Sequence, residues 1–168
     1  MKNSHLVLFP KLPFNEQILI WSARKWLQFN GHGNSLFDTL RDAFRLARAP
    51  NAYLSLDAFL TILFSSSVET IEFNPPEAVN VTNDELRFSS LITTLQLDDN
   101  EDEAFLLLSN WLPPAAQRHG LMHCNTLAQE LLVAGHVFSR RNPGIDKSYE
   151  PSDPHIKPNR YVVENEIK

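Results

Sequence analysis

The chain has 168 residues, the length of one ordinary domain, and its hydrophobic fraction of 43% and charged fraction of 21% are those of a globular protein. This composition excludes a disordered, collagen-like or membrane-embedded class for the bulk of the chain. The single cysteine, Cys124, excludes an internal disulfide and a zinc site built from cysteines. We therefore expect a reduced, cytoplasmic, soluble domain.

Two apolar runs are too short or too interrupted to be export or membrane segments. The first, residues 6–9, is interrupted by Pro10 and Pro13 before it reaches the length of a signal-peptide core. The longest, residues 52–64, contains Asp57 and is far shorter than the roughly 20 residues that a membrane helix needs. The sequence therefore predicts neither export nor membrane association.

The charge is unevenly distributed along the chain, although the net charge is only −5. Residues 1–50 hold seven basic and three acidic side chains, whereas residues 51–138 hold two basic against twelve acidic ones. Residues 139–168 hold six against five. This asymmetry indicates either two faces that attract each other within one fold or separate surfaces that bind partners.

Helical periodicity covers the chain from residue 13 to residue 138. Pro13 suits a first helical turn, and Ser35 with Asp38 resembles a capping box that would start the second helix. Pro50 requires the second helix to end before it, and the third helix is expected to start after Ser55.

The second half of the chain carries clearer helix signals. Pro75-Pro76 breaks the periodicity, Thr82 with Glu85 forms a complete capping box, and Pro113-Pro114 opens the last helix. The predicted helices lie near residues 13–29, 36–48, 56–65, 83–97, 101–112 and 114–138. The sequence thus predicts an all-α, compact bundle of about six helices in one domain, 1–141, followed by a flexible tail, 142–168.

Few residue patterns indicate catalysis or metal binding. His119 and His123 are four residues apart, the spacing at which two imidazoles share a helix face and could hold one metal. The glutamate of the metalloprotease signature is absent between them, and a third ligand would have to come from another element. The acidic run 98–103 lacks the glycine and the glutamate that a calcium loop requires at its sixth and twelfth positions. Cys124 falls on an apolar helix face, where burial would raise its pKa, so we expect no nucleophile. Because the metal patterns are incomplete as well, we also expect no metal and no cofactor.

Basic side chains on the second helix form the strongest candidate for a partner-binding surface. Its members are Arg41, Arg45 and Arg48, at steps of four and three, with Arg24 and Lys25 on the first helix. Guanidinium groups in a row suit carboxylates or phosphates because each can bind bidentately. The alternative is an ordinary solvated helix face, partly neutralised by Asp38 and Asp42.

These residues form no family signature, so function is predicted from the surface alone. We expect a non-enzymatic helical interaction or regulatory protein that binds an acidic protein partner through the basic helix face. Self-association as a homodimer is compatible with this function, because the first helix is apolar around most of its circumference. The first alternative is a small-ligand or metal-dependent enzyme with a site near His119 and His123. The second is a weak nucleic-acid binder, disfavoured because the third helix has no Arg, Lys, Asn or Gln to read bases.

Overall fold

A computed structural model describes residues 6–97 and 101–141, and its six α-helices confirm the predicted all-α bundle. The helices are α1 (Phe14–Gln28), α2 (Asn34–Leu46), α3 (Ala52–Ser66), α4 (Asn83–Gln96), α5 (Glu101–Ser109) and α6 (Pro114–Val133). A short 3₁₀ turn precedes α1, and the described ranges contain no strand, only an isolated antiparallel bridge between Leu8 and Asn80. The predicted flexible tail, 142–168, lies outside the described residues.

The core is organised around α6, which packs along α3 on one side and α4 on the other, while α1 joins α2, α3 and α4. Phe59 of α3 stacks on Phe88 of α4 with ring centroids 5.3 Å apart. Burying each such side chain contributes roughly 1.5–3 kcal/mol, so a core of this size holds the helices together without a disulfide. The largest fully buried apolar side chains are Trp111, Phe44, Phe59, Phe88 and Phe138.

The capping box at the start of α4 is confirmed. The Glu85 amide donates to the Thr82 hydroxyl at 3.1 Å, and the Thr82 amide donates to the Glu85 carboxylate at 2.9 Å. Both bonds join residues three apart, so they depend on local sequence alone.

Two other helix starts differ from the prediction. The second helix begins at Asn34 after Gly33, which has no side chain to cap it, so Ser35 lies inside the first turn and Asp38 binds Arg41 at 2.7 Å. The third begins at Ala52 and not after Ser55, whose hydroxyl donates to Glu130 of α6 at 2.8 Å. In both cases the polar side chain that was expected at the helix start, Asp38 or Ser55, binds another side chain instead of the helix backbone.

The last helix ends at Val133, earlier than the predicted residue 138. Gly135 adopts a φ of 89°, and its amide donates to the Leu132 carbonyl at 2.9 Å. The next amide, that of His136, donates to the Leu131 carbonyl at 2.8 Å, which completes a Schellman motif. Glycine reaches this left-handed conformation without a steric penalty, so the helix stops there. Similarly, α5 ends at Ser109 and not at 112, and α2 ends at Leu46 and not at 48.

None of the described helices combines the length and the apolar character that crossing a membrane would require.

Candidate partner-binding surface

The guanidinium groups of α2 are exposed because the helix is strongly amphipathic. Its buried face consists of Leu36, Leu40 and Phe44, which leaves Arg41 and Arg45 on the solvent side. Their side chains are 55% and 71% exposed. Each lies near a carboxylate of its own helix, Arg41 at 2.7 Å from Asp38 and Arg45 at 3.8 Å from Asp42.

The spacing had predicted that Arg48 continues the row of arginines on the helix. In the structure it lies beyond the helix end. It is the first residue beyond the Ala47 cap and adopts a φ of 62°. Its amide donates to the Arg45 carbonyl at 3.0 Å, and the Ala49 amide donates to the Phe44 carbonyl at 2.9 Å. Arg48 therefore occupies the left-handed position of a Schellman motif. The second helix thus ends two residues before the end that was predicted from Pro50.

The left-handed position is unfavourable for arginine. Asparagine and glycine, which tolerate a positive φ, hold the same position after α1 and α6, as Asn30 and Gly135. A side chain with a Cβ costs roughly 1–2 kcal/mol there. The Arg48 residue is exposed, and no carboxylate within residues 6–97 and 101–141 forms an ion pair with it.

Arg24, which the sequence placed on the same surface, is fully buried. Its Nε lies 2.6 Å from Glu85 Oε1, and its remaining nitrogens donate to Glu85 Oε2 at 2.9 Å and to the carbonyls of Ala78 and Asn80 at 2.7 and 2.8 Å. The Phe9 ring covers the guanidinium at 4.9 Å. Arg24 thus binds the connection before α4 to the core and is not available to a partner.

Lys25, the other basic side chain assigned to α1, is half-buried. Its ammonium lies 5.9 Å from the Trp21 ring and donates to Gln28 at 3.0 Å. The basic surface is therefore confined to α2 and the residue that follows its cap.

The two histidines of α6 do not form a recognisable site. His119 is exposed and His123 is half-buried, and in the part of the chain that the structure describes no three His, Cys, Asp or Glu side chains are arranged to hold a metal ion. A cavity of about 370 Å³ lies beside α6, but Arg118, Leu121 and Met122 line it and neither histidine does. Burial raises the pKa of the Cys124 thiol well above its ordinary value, as its apolar position predicted.

A polar cleft of about 180 Å³ lies between α4 and the segment after α6. Arg140 at its mouth binds both oxygens of Glu103, at 2.9 and 2.8 Å, and the hydrogen bond from Arg140 lowers the pKa of this carboxyl. Arg141, also in the lining, forms an ion pair with Glu16 of α1. The charges of this cleft are therefore largely satisfied within the protein. Its hydroxyl lining consists of Ser89, Ser90, Thr93, Thr94 and Ser139.

The sequence pattern did not lead us to predict an exposed leucine next to these arginines in the chain. Leu46, between Arg45 and Arg48, is 80% exposed. The signal was present in the spacing, because Leu46 follows the buried Phe44 by two residues, about 200° around the helix. It therefore faces away from the core beside the guanidinium groups.

Comparison with known proteins adds no relative: no family model, curated protein or solved structure matches this chain.

Proposed function

We propose that this protein is a non-enzymatic interaction or regulatory protein that binds an acidic protein partner through Arg41, Arg45 and Arg48. The observation that carries this proposal is the backbone of Arg48. An arginine occupies a left-handed position where glycine or asparagine would be more stable, and it exposes a guanidinium that has no ion-pair partner among the described residues. Strained residues of this kind concentrate at functional sites.

The ion pairs on α2 do not prevent such binding. Exposed pairs three residues apart contribute about 0–1 kcal/mol, so a partner's carboxylates can join or replace Asp38 and Asp42 at little cost. A guanidinium binds a carboxylate through two parallel hydrogen bonds, which fixes orientation as well as attraction. The surface thus favours a partner with several carboxylates over one with isolated charges.

Charge reversal of the three arginines tests the proposal. The variant Arg41→Glu/Arg45→Glu/Arg48→Glu retains the buried face of α2, and it should fold with a melting temperature close to that of the parent. As a control, Arg118→Glu reverses an exposed charge on α6. Parent, triple variant and control are each used to recover binding proteins from an extract of the native organism after nuclease treatment.

We expect the parent and the control to recover the same acidic protein and the triple variant to lose it, because like charges across an interface repel. Equal recovery by all three proteins contradicts the proposal. Recovery by the parent only when the nuclease is omitted, with a steep salt dependence, would instead favour the nucleic-acid alternative.

A further inference from the structure

The polar cleft between α4 and the segment after α6 has a floor of hydroxyl groups, where a packed helix face would be apolar. Ser89, Thr93 and Thr94 all line the cleft, and they are only 2%, 4% and 6% exposed. Buried hydroxyl groups are stable in a protein when they are hydrogen-bonded. The partners of these hydroxyls therefore decide what the cleft can hold.

Two hydroxyls of the floor are bonded to their own helix. Ser90 donates to the Leu86 carbonyl at 2.9 Å, and Thr93 donates to the Ser89 carbonyl at 2.9 Å. A hydroxyl has one hydrogen to donate and two lone pairs that accept. Ser90 and Thr93 can therefore only accept a hydrogen bond from a molecule in the cleft.

The Ser89 hydroxyl is buried at the floor of the cleft without a partner. No hydrogen bond in the described ranges reaches it. Within residues 6–97 and 101–141, the polar side-chain atoms that are fully enclosed without a partner are Ser22 Oγ and Asn80 Oδ1. Ser89 Oγ is not one of them, so it opens into the cleft that the residue lines. This hydroxyl can both donate to a ligand and accept from it.

The charged groups at the mouth of the cleft are already paired. Arg140 binds both carboxylate oxygens of Glu103, and Arg141 forms an ion pair with Glu16. A ligand ion of either sign would be attracted by one member of each pair and repelled by the other. The two acidic residues that precede Glu103 in α5 do not line the cleft, and they would only repel an anion further. The mouth therefore favours a ligand without charge.

The walls of the cleft are held in place by the protein itself. The Phe138 amide donates to Gln96 Oε1 of α4 at 2.8 Å, and the Phe138 side chain is fully buried. Gln96 Nε2 donates to the carbonyls of Ala128 and His136 at 3.0 and 2.9 Å. A ligand does not have to order this segment, so binding avoids that entropic cost.

We infer that the polar cleft binds a small neutral compound with several hydroxyl groups, either a polyol or a single sugar ring. Its hydroxyls can donate to Ser90 and Thr93, which only accept. They can also accept from Ser89 and from the Arg140 N–H groups that do not contact Glu103. A carboxylate has no hydrogen to donate and an ammonium has no lone pair to accept with, so neither can do both.

The size of the cleft limits the ligand. Its volume of about 180 Å³ is the space of roughly six water molecules, which suits a compound no larger than one sugar ring. The inference goes beyond the proposed function, because none of the three arginines assigned to the partner lines the cleft. The two proposals can therefore fail separately.

The test is titration of the nitrogen-15-labelled full-length protein with glycerol, myo-inositol and glucose, followed by NMR of the backbone amides. At least one of the three should shift the amides of residues 89–94 and 139–141. We expect saturation with a dissociation constant of roughly 1–10 mM, because each hydrogen bond to the ligand replaces one to water. Sodium phosphate and glycine are titrated in parallel at equal ionic strength, and neither should shift these amides.

Ser89→Ala removes the hydroxyl that has no partner in the protein and should weaken the binding of the polyol at least fivefold. Its melting temperature should not fall, because no bond within the protein is lost and alanine favours a helix. Ser90→Ala is the second variant, with the same expected direction. The matched control is Ser22→Ala, which removes another buried hydroxyl without a partner, on α1, outside the cleft lining. It should change the affinity by less than about twofold.

The opposite results are equally clear. The absence of saturable shifts with all three polyols up to about 100 mM overturns the inference. Tighter binding of phosphate or glycine at the same amides also overturns it, because the cleft would then select charge. Unchanged affinity in both Ser89→Ala and Ser90→Ala would place the ligand elsewhere and overturn the site. Equal weakening by Ser22→Ala and Ser89→Ala would mean a general effect on the fold and would overturn it as well.

Discussion

The Nε of Arg24 lies 2.6 Å from a carboxylate oxygen of Glu85, and both side chains are fully buried. Glu85 also accepts the backbone amides of Asn74 and Thr82, so one carboxylate joins α1, α4 and the connection between α3 and α4. A buried pair of this kind is tolerated only when its remaining hydrogen-bonding groups are satisfied. Here the carbonyls of Ala78 and Asn80 complete the set for the guanidinium.

Replacing Glu85 by Gln should therefore destabilise the protein by about 3–5 kcal/mol, because it leaves the Arg24 guanidinium buried without its counter-charge. Thr82→Ala removes the capping hydroxyl, which also donates to the Glu72 carbonyl, and should cost about 1–2 kcal/mol while leaving the ion pair in place. The free energies of unfolding are compared in urea. If Glu85→Gln lowers the free energy of unfolding by no more than Thr82→Ala does, the ion pair is not the interaction that stabilises this connection.

Thr82 and Arg24 differ in how far their contacts could be predicted from the sequence. The Thr82 capping box was predictable because both of its bonds span three residues, whereas the burial of Arg24 depends on carbonyls more than fifty residues away. One signal for Arg24 did exist. It lies on α1 four residues after Ile20 and three before Leu27, so a charge interrupts the apolar stripe.

The candidate partner-binding surface was only partly predictable, for similar reasons. The exposure of Arg41 and Arg45 follows from the amphipathic period of α2. The left-handed conformation of Arg48 does not, because no glycine or asparagine marks the end of that helix.

The turn after α1 should be intolerant of a side chain at Gly31. A Cβ there would lie 2.4 Å from the Trp26 ring, and the indole is held in place by a 2.7 Å hydrogen bond to Asp57. Gly31→Ala should cost the backbone strain of a positive φ, about 1–2 kcal/mol, plus roughly 1–3 kcal/mol for the displaced ring.

Gly135→Ala is the control for this substitution, because Gly135 also has a positive φ in the turn that ends a helix, but a Cβ there would contact nothing within 4 Å. Thermal unfolding followed by tryptophan fluorescence separates the two contributions. Equal losses in both variants would mean that the indole moves aside without cost.

The Cys124 thiol should resist alkylation in the folded protein. Burial raises its pKa, and the thiolate is the reactive form, so modification at pH 8 requires the chain to open. Mass spectrometry after iodoacetamide treatment should show no adduct under native conditions and one adduct in denaturant. Rapid labelling of the native protein would contradict the enclosed position of Cys124 in α6.

The claim that Arg48 is retained for binding is tested most directly by Arg48→Gly. Relief of the left-handed strain, less the extra freedom that glycine has in the unfolded chain, should raise the free energy of unfolding by about 0.5–1 kcal/mol. The measurement is the affinity of this variant for the partner that the parent recovers, determined by titration calorimetry beside the parent. We predict at least a fivefold weaker affinity in a more stable protein. An affinity equal to that of the parent would contradict the account, because Arg48 would then be a strained residue with no part in binding.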